Sequence, residues 1–110
     1  MYDFISIYSD TLHSKYIRTE VLEKYLVSNL KFNKESNLNF FKEIGGEIIK
    51  INGIPANSRG NYAYDSLEGV EEINLIEIAV PWKIEDDSKK EVIDIASAVA
   101  KHFLWMIDES

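Results

Sequence analysis

The chain reads as an α+β protein: a single antiparallel or mixed sheet of about four strands, with two main helices packed largely on one face, loosely ferredoxin-like. Residues 2–8 and 73–82 are rich in β-branched and aromatic side chains, residues 14–29 and 88–107 carry apolar positions at three- and four-residue steps, and Gly, Asn and Ser punctuate the intervening segments. With 110 residues, 45% of them hydrophobic and 28% charged, the composition is that of one globular domain spanning 1–110.

The first strand is Tyr2 to Tyr8, closed by Ser9-Asp10, residues that favour turns and caps. From Ser14 to about Asn29 an amphipathic helix follows, with Ile17, Val21, Leu22, Tyr25 and Leu26 on one side and Glu20, Glu23 and Lys24 on the other. The polar run 33–37 marks a loop. Residues 38–44 admit two readings. A hairpin turning at Gly45-Gly46 places Lys42 and Glu47 on the face that Phe40, Ile44, Ile49 and Ile51 should bury. A short helix capped by Asn37, with Phe40, Phe41 and Ile44 together and Gly45 at its end, avoids that mixture and is preferred. On either reading residues 47–54 form a strand.

Residues 54–60 have the composition of a loop, and a short strand resumes over 61–65. Residues 73–82 carry apolar side chains on both faces and predict the central strand, ended by Pro81. Ser88-x-x-Glu91 has the form of a capping box, and the stripe Val92, Ile95, Ala96, Val99, Phe103, Met106 and Ile107 predicts one long helix covering the core.

The chain has no cysteine, which excludes disulfides, thiolate nucleophiles and Cys-based metal sites. Its two histidines, His13 and His102, are too far apart in sequence to suggest a zinc site, so no metal and no cofactor are expected. No apolar run approaches the length of a membrane span, and residues 1–9 lack the basic start of a secretory signal, so a cytoplasmic location is expected. A net charge of −7 argues against phosphate-backbone contacts with nucleic acid.

Catalytic parts are sparse. His13 stands near Ser9, Asp10 and Ser14, but four polar residues at a strand-to-helix junction are also what capping requires. Glu77 interrupts an apolar strand and is the one carboxylate whose burial would make it an acid catalyst. An outward position is the simpler reading. The glycines fit neither a P-loop nor a dinucleotide fingerprint.

The charge is lopsided: residues 1–60 carry seven acids against eight bases, and residues 61–110 twelve against four. Glu68, Glu71 and Glu72 flank one turn, and Glu85, Asp86 and Asp87 precede the last helix. Gathered on one surface, they would steer a basic partner. Arg59, Tyr62, Tyr64 and Trp82 are the residue types enriched at binding hot spots.

Small, acidic, cysteine-free and without a catalytic constellation, the chain resembles in type the bacterial immunity proteins paired with contact-dependent growth-inhibition toxins. The resemblance implies a one-to-one complex with a cognate toxin domain, such as a basic nuclease, inhibited by occlusion. The carboxylates would orient the partner, while Arg59, Tyr62, Tyr64 and Trp82 would anchor it. The competing expectations are a DNA-mimicking inhibitor, a generic interaction domain, a self-associating subunit joined through Tyr2, Tyr8 or Trp82, and a small enzyme using His13 or Glu77.

Overall fold

The computed structural model describes residues 2–57 and 67–109. In chain order the elements are β1 (Tyr2–Tyr8), β2 (Ile17–Arg18), α1 (Thr19–Lys24), which continues as a π-helical turn over Tyr25–Asn29, β3 (Asn33–Ser36), β4 (Asn39–Ile44), β5 (Glu47–Ile54), β6 (Glu72–Ile73), β7 (Leu75–Pro81), α2 (Asp86–Phe103) and β8 (Met106–Glu109). The main sheet has six strands in the order β3-β4-β5-β7-β1-β8, and β2 pairs with β6 in a separate ribbon. The expectation of about four strands in a single, loosely ferredoxin-like sheet is therefore wrong. The main sheet holds six strands where about four were expected, every neighbouring pair in it is antiparallel, and the β2–β6 ribbon makes a second sheet.

Three strands of the main sheet, β3, β4 and β8, go beyond the expectation, as do both strands of the ribbon. β3 is Asn-Lys-Glu-Ser, exposed throughout, and has no apolar alternation to mark it. β8 is cut from the end of the stripe that reads as helix. α2 stops at Phe103, Leu104 takes a left-handed conformation (φ 58°), and the Trp105 N–H donates back to the Ala100 carbonyl (2.8 Å) while that of Leu104 reaches Lys101. This is a Schellman closure, with leucine where glycine is usual. Met106 and Ile107 thus pair with β1 as a strand.

Residues 38–44 form the hairpin and not the preferred helix. Gly45 and Gly46 both have positive φ (60° and 83°), which a two-residue turn joining antiparallel strands needs. The charge objection fails because Lys42 sits at the rim: its ammonium donates to the Leu30 carbonyl (3.0 Å) and lies 5.9 Å from the Phe32 ring centre. The predicted helix over 14–29 is also shorter than expected. Ile17 and Arg18 pair with Ile73 and Glu72, and helix begins only once Thr19 has donated its N–H to the Glu71 carbonyl and its hydroxyl to that of Val70 (both 2.8 Å).

α2 starts two residues before the expected Ser88. Glu85 occupies the N-cap without a side-chain bond, so the capping box is not made. Ser88 instead packs on the β4–β5 turn, where a side chain on Gly45 would fall onto its hydroxyl. Both helical segments lie on one face of the sheet. Leu22, Leu26, Val92, Ala96 and Val99 are buried with Ile5, Ile7, Ile49, Ile51, Ile76 and Ile78, and the Tyr25 hydroxyl donates to the Ala98 carbonyl (3.3 Å) across the helix pair. Gly53 permits this closeness, since a Cβ there would lie 2.7 Å from Leu38 and 2.9 Å from Leu22. The opposite face carries a polar row, Asn39, Asn52, Glu77, Ser6 and Asp108, one residue per strand. Glu77 is half-buried there, on the face away from the helices. The expected strand over 61–65 lies outside the described residues.

Candidate interaction surface

The residues around His13 make a turn. The Asp10 carboxylate accepts the N–H groups of Leu12 (3.0 Å) and Ser14 (3.1 Å) and the Ser14 hydroxyl. The bonds from Ser14, the hydroxyl first, hold the carboxyl below its ordinary range. The Ser14 hydroxyl is thus committed to Asp10. His13 has φ 53° and stacks on Tyr8 at 4.8 Å, and its buried Nδ1 has no hydrogen-bond partner among the described residues. His102 stacks on Tyr25 at 3.9 Å, in the seam between the helices. No group of three or more His, Asp or Glu side chains suited to a metal ion occurs among the described residues.

The expected carboxylates do not meet. Glu72 precedes β7 and Glu85 follows it, so the extended strand separates Glu68, Glu71 and Glu72 from Glu85, Asp86 and Asp87 by about 20 Å. They form two groups at opposite ends of the sheet and not one row. Arg59, Tyr62 and Tyr64 lie outside the described residues.

At the first end, Glu71 shares a groove with Glu20, Glu23, Arg18 and Asn37, and Glu68 lines a neighbouring hollow with Ser36 and Asn39. Much of that charge already has a local role. Arg18 pairs with Glu20 (3.0 Å), Lys34 pairs with Glu23 (2.7 Å), and the Asn37 amide donates to the carbonyls of Leu67 and Val70. Tyr16 and Leu12 are exposed but line neither hollow.

The second end joins aromatic surface to carboxylates. Trp82 follows Pro81, whose missing N–H ends the β7 ladder. The residue is 60% exposed, and its indole N–H donates to Asp3 (3.1 Å). Tyr2 pairs with Pro81 and is 50% exposed. Trp82 stands between two clefts. The larger, about 440 Å³, runs between β1 and the first two turns of α2 and includes Phe4, Ile84, Asp86, Lys89, Val92 and Ile93. The smaller, about 220 Å³, is formed with Tyr2, Glu47, Pro81 and Lys83. Glu85 caps α2, and Asp86 and Asp87 fill its first turn, where the helix dipole favours negative charge. Sequence reasoning alone does not point to Asp3, Glu47 or Ile93, which line these clefts. Antiparallel pairing of the first strand with 75–81 would have brought Asp3 beside Trp82, but the pairing partner is not readable from residue types alone.

No protein-family model, curated protein or solved structure matches the chain.

Proposed function

We propose that the protein is a binding module that works by occlusion, an immunity protein that covers a cognate toxin domain, with the Trp82 end of the sheet as its contact surface. The observation that carries this reading is a tryptophan held at 60% exposure by a hydrogen bond to Asp3, between two clefts and beside Tyr2. Exposed aromatics in such a setting are the usual sources of binding energy, and a ring already fixed loses little freedom on docking. The carboxylates Glu85, Asp86 and Asp87, with a net charge of −7 behind them, favour a basic partner and speed its approach. Glu68, Glu71 and Glu72, at the far end, add to the long-range field without touching the same partner surface.

The test is capture of a partner from the source cells by wild-type chain and by Trp82→Ala, followed by expression of the captured domain with and without this chain. Wild type should retain a domain that arrests growth alone and is harmless when co-expressed. Trp82→Ala should weaken the complex by about 30-fold or more. Reversing Glu68, Glu71 and Glu72 should slow association with little change in dissociation. A captured domain that is not toxic, or a toxic one that this chain does not silence, sinks the immunity reading. Undiminished binding by Trp82→Ala sinks the choice of surface.

A further inference from the structure

Strand alternation puts Asp3, Ile5 and Val80 on one side of the β1–β7 pair, with Asp3 opposite Val80 and Ile5 opposite Ile78. It is the side that α2 covers, since Ile5, Val80 and Val92 are buried together in the core. The bond from the Trp82 indole to Asp3 (3.1 Å) brings the ring to that side as well. The larger cleft lies there, floored by Ile5, Val80 and Val92 and rimmed by Trp82, Asp3, Asp86 and Lys89. Its volume of about 440 Å³ is in the range of built ligand sites and ample for one long side chain.

We propose that this cleft receives one arginine side chain of the partner protein. The apolar floor suits the methylene stem of an arginine, which covers apolar surface while its charged head stays at the rim. At the rim, the exposed Trp82 ring attracts a cation over its face, and a planar guanidinium stacks there. Asp3 supplies the counter-charge. The indole N–H takes one of the several acceptor positions of its carboxylate, so Asp3 can hold the ring and accept guanidinium N–H groups at the same time. The charge balance sets the sign of the occupant: Asp3 and Asp86 outnumber Lys89, the one cation among the described residues that line the cleft. An anion is disfavoured, because Asp86 and Asp87 already fill the first turn of α2. Lysine suits the site less, since its compact, strongly hydrated ammonium neither stacks on the ring nor bonds a carboxylate in parallel. This rests on the binding reading above and gives it one specific contact.

The probe is the peptide acetyl-Gly-Arg-Gly-amide, titrated to millimolar concentration into the whole chain and followed by the Trp82 indole and backbone amide signals in NMR. Controls replace its arginine by citrulline, which keeps the shape and removes the charge, or by lysine. Saturable shifts at the Trp82 indole, Asp3, Lys89 and Ile93 are expected, with the citrulline peptide bound about tenfold more weakly and the lysine peptide in between. Asp3→Asn keeps an oxygen for the indole and removes the charge, so it should weaken binding of the arginine peptide by about tenfold, whereas Lys89→Gln should tighten it. Four results overturn the proposal: no saturable shift at these residues, equal binding of the citrulline peptide, saturation of the same signals by inorganic phosphate with loss of that effect in Lys89→Gln, or the same shifts on concentrating the chain without peptide. The third assigns the cleft to an anion and the fourth to a second copy. Arginine binding by a chain that silences no toxin leaves the pocket standing and removes the immunity reading. A silenced toxin with no preference for arginine over citrulline does the reverse.

Discussion

Asn74 occupies the single position between β6 and β7 and is almost completely buried. Its side-chain oxygen accepts the Ala56 N–H (2.6 Å), and its amide donates to the carbonyls of Ala56 (2.8 Å) and His13 (3.0 Å). One side chain thus ties together two loops distant in sequence. Asn74→Ala strands the N–H and C=O of Ala56 in the interior, while the His13 carbonyl can turn to water. At about 1–3 kcal/mol for each of the two buried groups left unpaired, the loss is about 2–6 kcal/mol. A domain of this size has about 5–15 kcal/mol in total, so the variant should fold but melt well below wild type. Asn74→Asp puts a carboxylate against two carbonyl oxygens. Protonation restores one donor, so the folded variant binds its proton more tightly than the unfolded chain, and its stability should rise as pH falls from about 7 to about 4. Urea unfolding at several pH values measures both effects, with an unchanged slope confirming a two-state comparison. A loss below about 1 kcal/mol for Asn74→Ala, or an Asn74→Asp variant that weakens on acidification more than wild type, would refute the reasoning.

Gly53→Ala should cost about 1–3 kcal/mol in urea unfolding, because its methyl meets Leu38 and Leu22 inside 3 Å. Gly45→Ala and Gly46→Ala share the strain of positive φ, but only the first also collides with Ser88, so thermal melting should rank Gly45→Ala as the more damaging. Leu104→Gly should raise the melting temperature, by about 1 kcal/mol in stability, since an 88% exposed leucine with φ 58° has little packing to lose and strain to release. Asp10, whose carboxyl is held down mainly by the Ser14 hydroxyl, contributes stability above the ordinary carboxylate range and loses it as pH falls through its lowered value. The stability gap between wild type and Asp10→Asn should therefore shrink from about pH 6 to about pH 2, and a gap that widens would contradict the assignment.

Legibility in the sequence followed burial. Residues 2–8, 47–54 and 75–81 were readable as strands because each has a face that must be covered, and the body of α2 because its stripe is broad. β3 was not, since an edge strand made of Asn, Lys, Glu and Ser buries nothing. The end of α2 was hidden because Leu104 holds the left-handed position with no sequence mark, and Met106 and Ile107 fit the helical period as well as they fit a strand. The hairpin at Gly45-Gly46 reads as unfavourable over Lys42 and Glu47, and the way Lys42 is accommodated, by a carbonyl and an aromatic ring at the rim, exists only in three dimensions. Of the candidate site, Trp82 and its acidic neighbours were legible as residue types. Their separation from Glu68, Glu71 and Glu72 depends on which way β7 runs between them, and no composition argument carries that vector.

The place of β1 between β7 and β8 has a kinetic consequence. β1 precedes the other strands of the sheet in the sequence, yet finds both its lateral neighbours among residues 75–81 and 106–109, which follow all the others. Until they are in place β1 has no strand beside it, whereas β4 and β5 can zip together through a two-residue turn as soon as both exist. Chain assembly should therefore nucleate at the β4–β5 hairpin and finish by slotting β1 home. Pulse-labelled hydrogen exchange would see amides at 39–52 protected before those at 2–8.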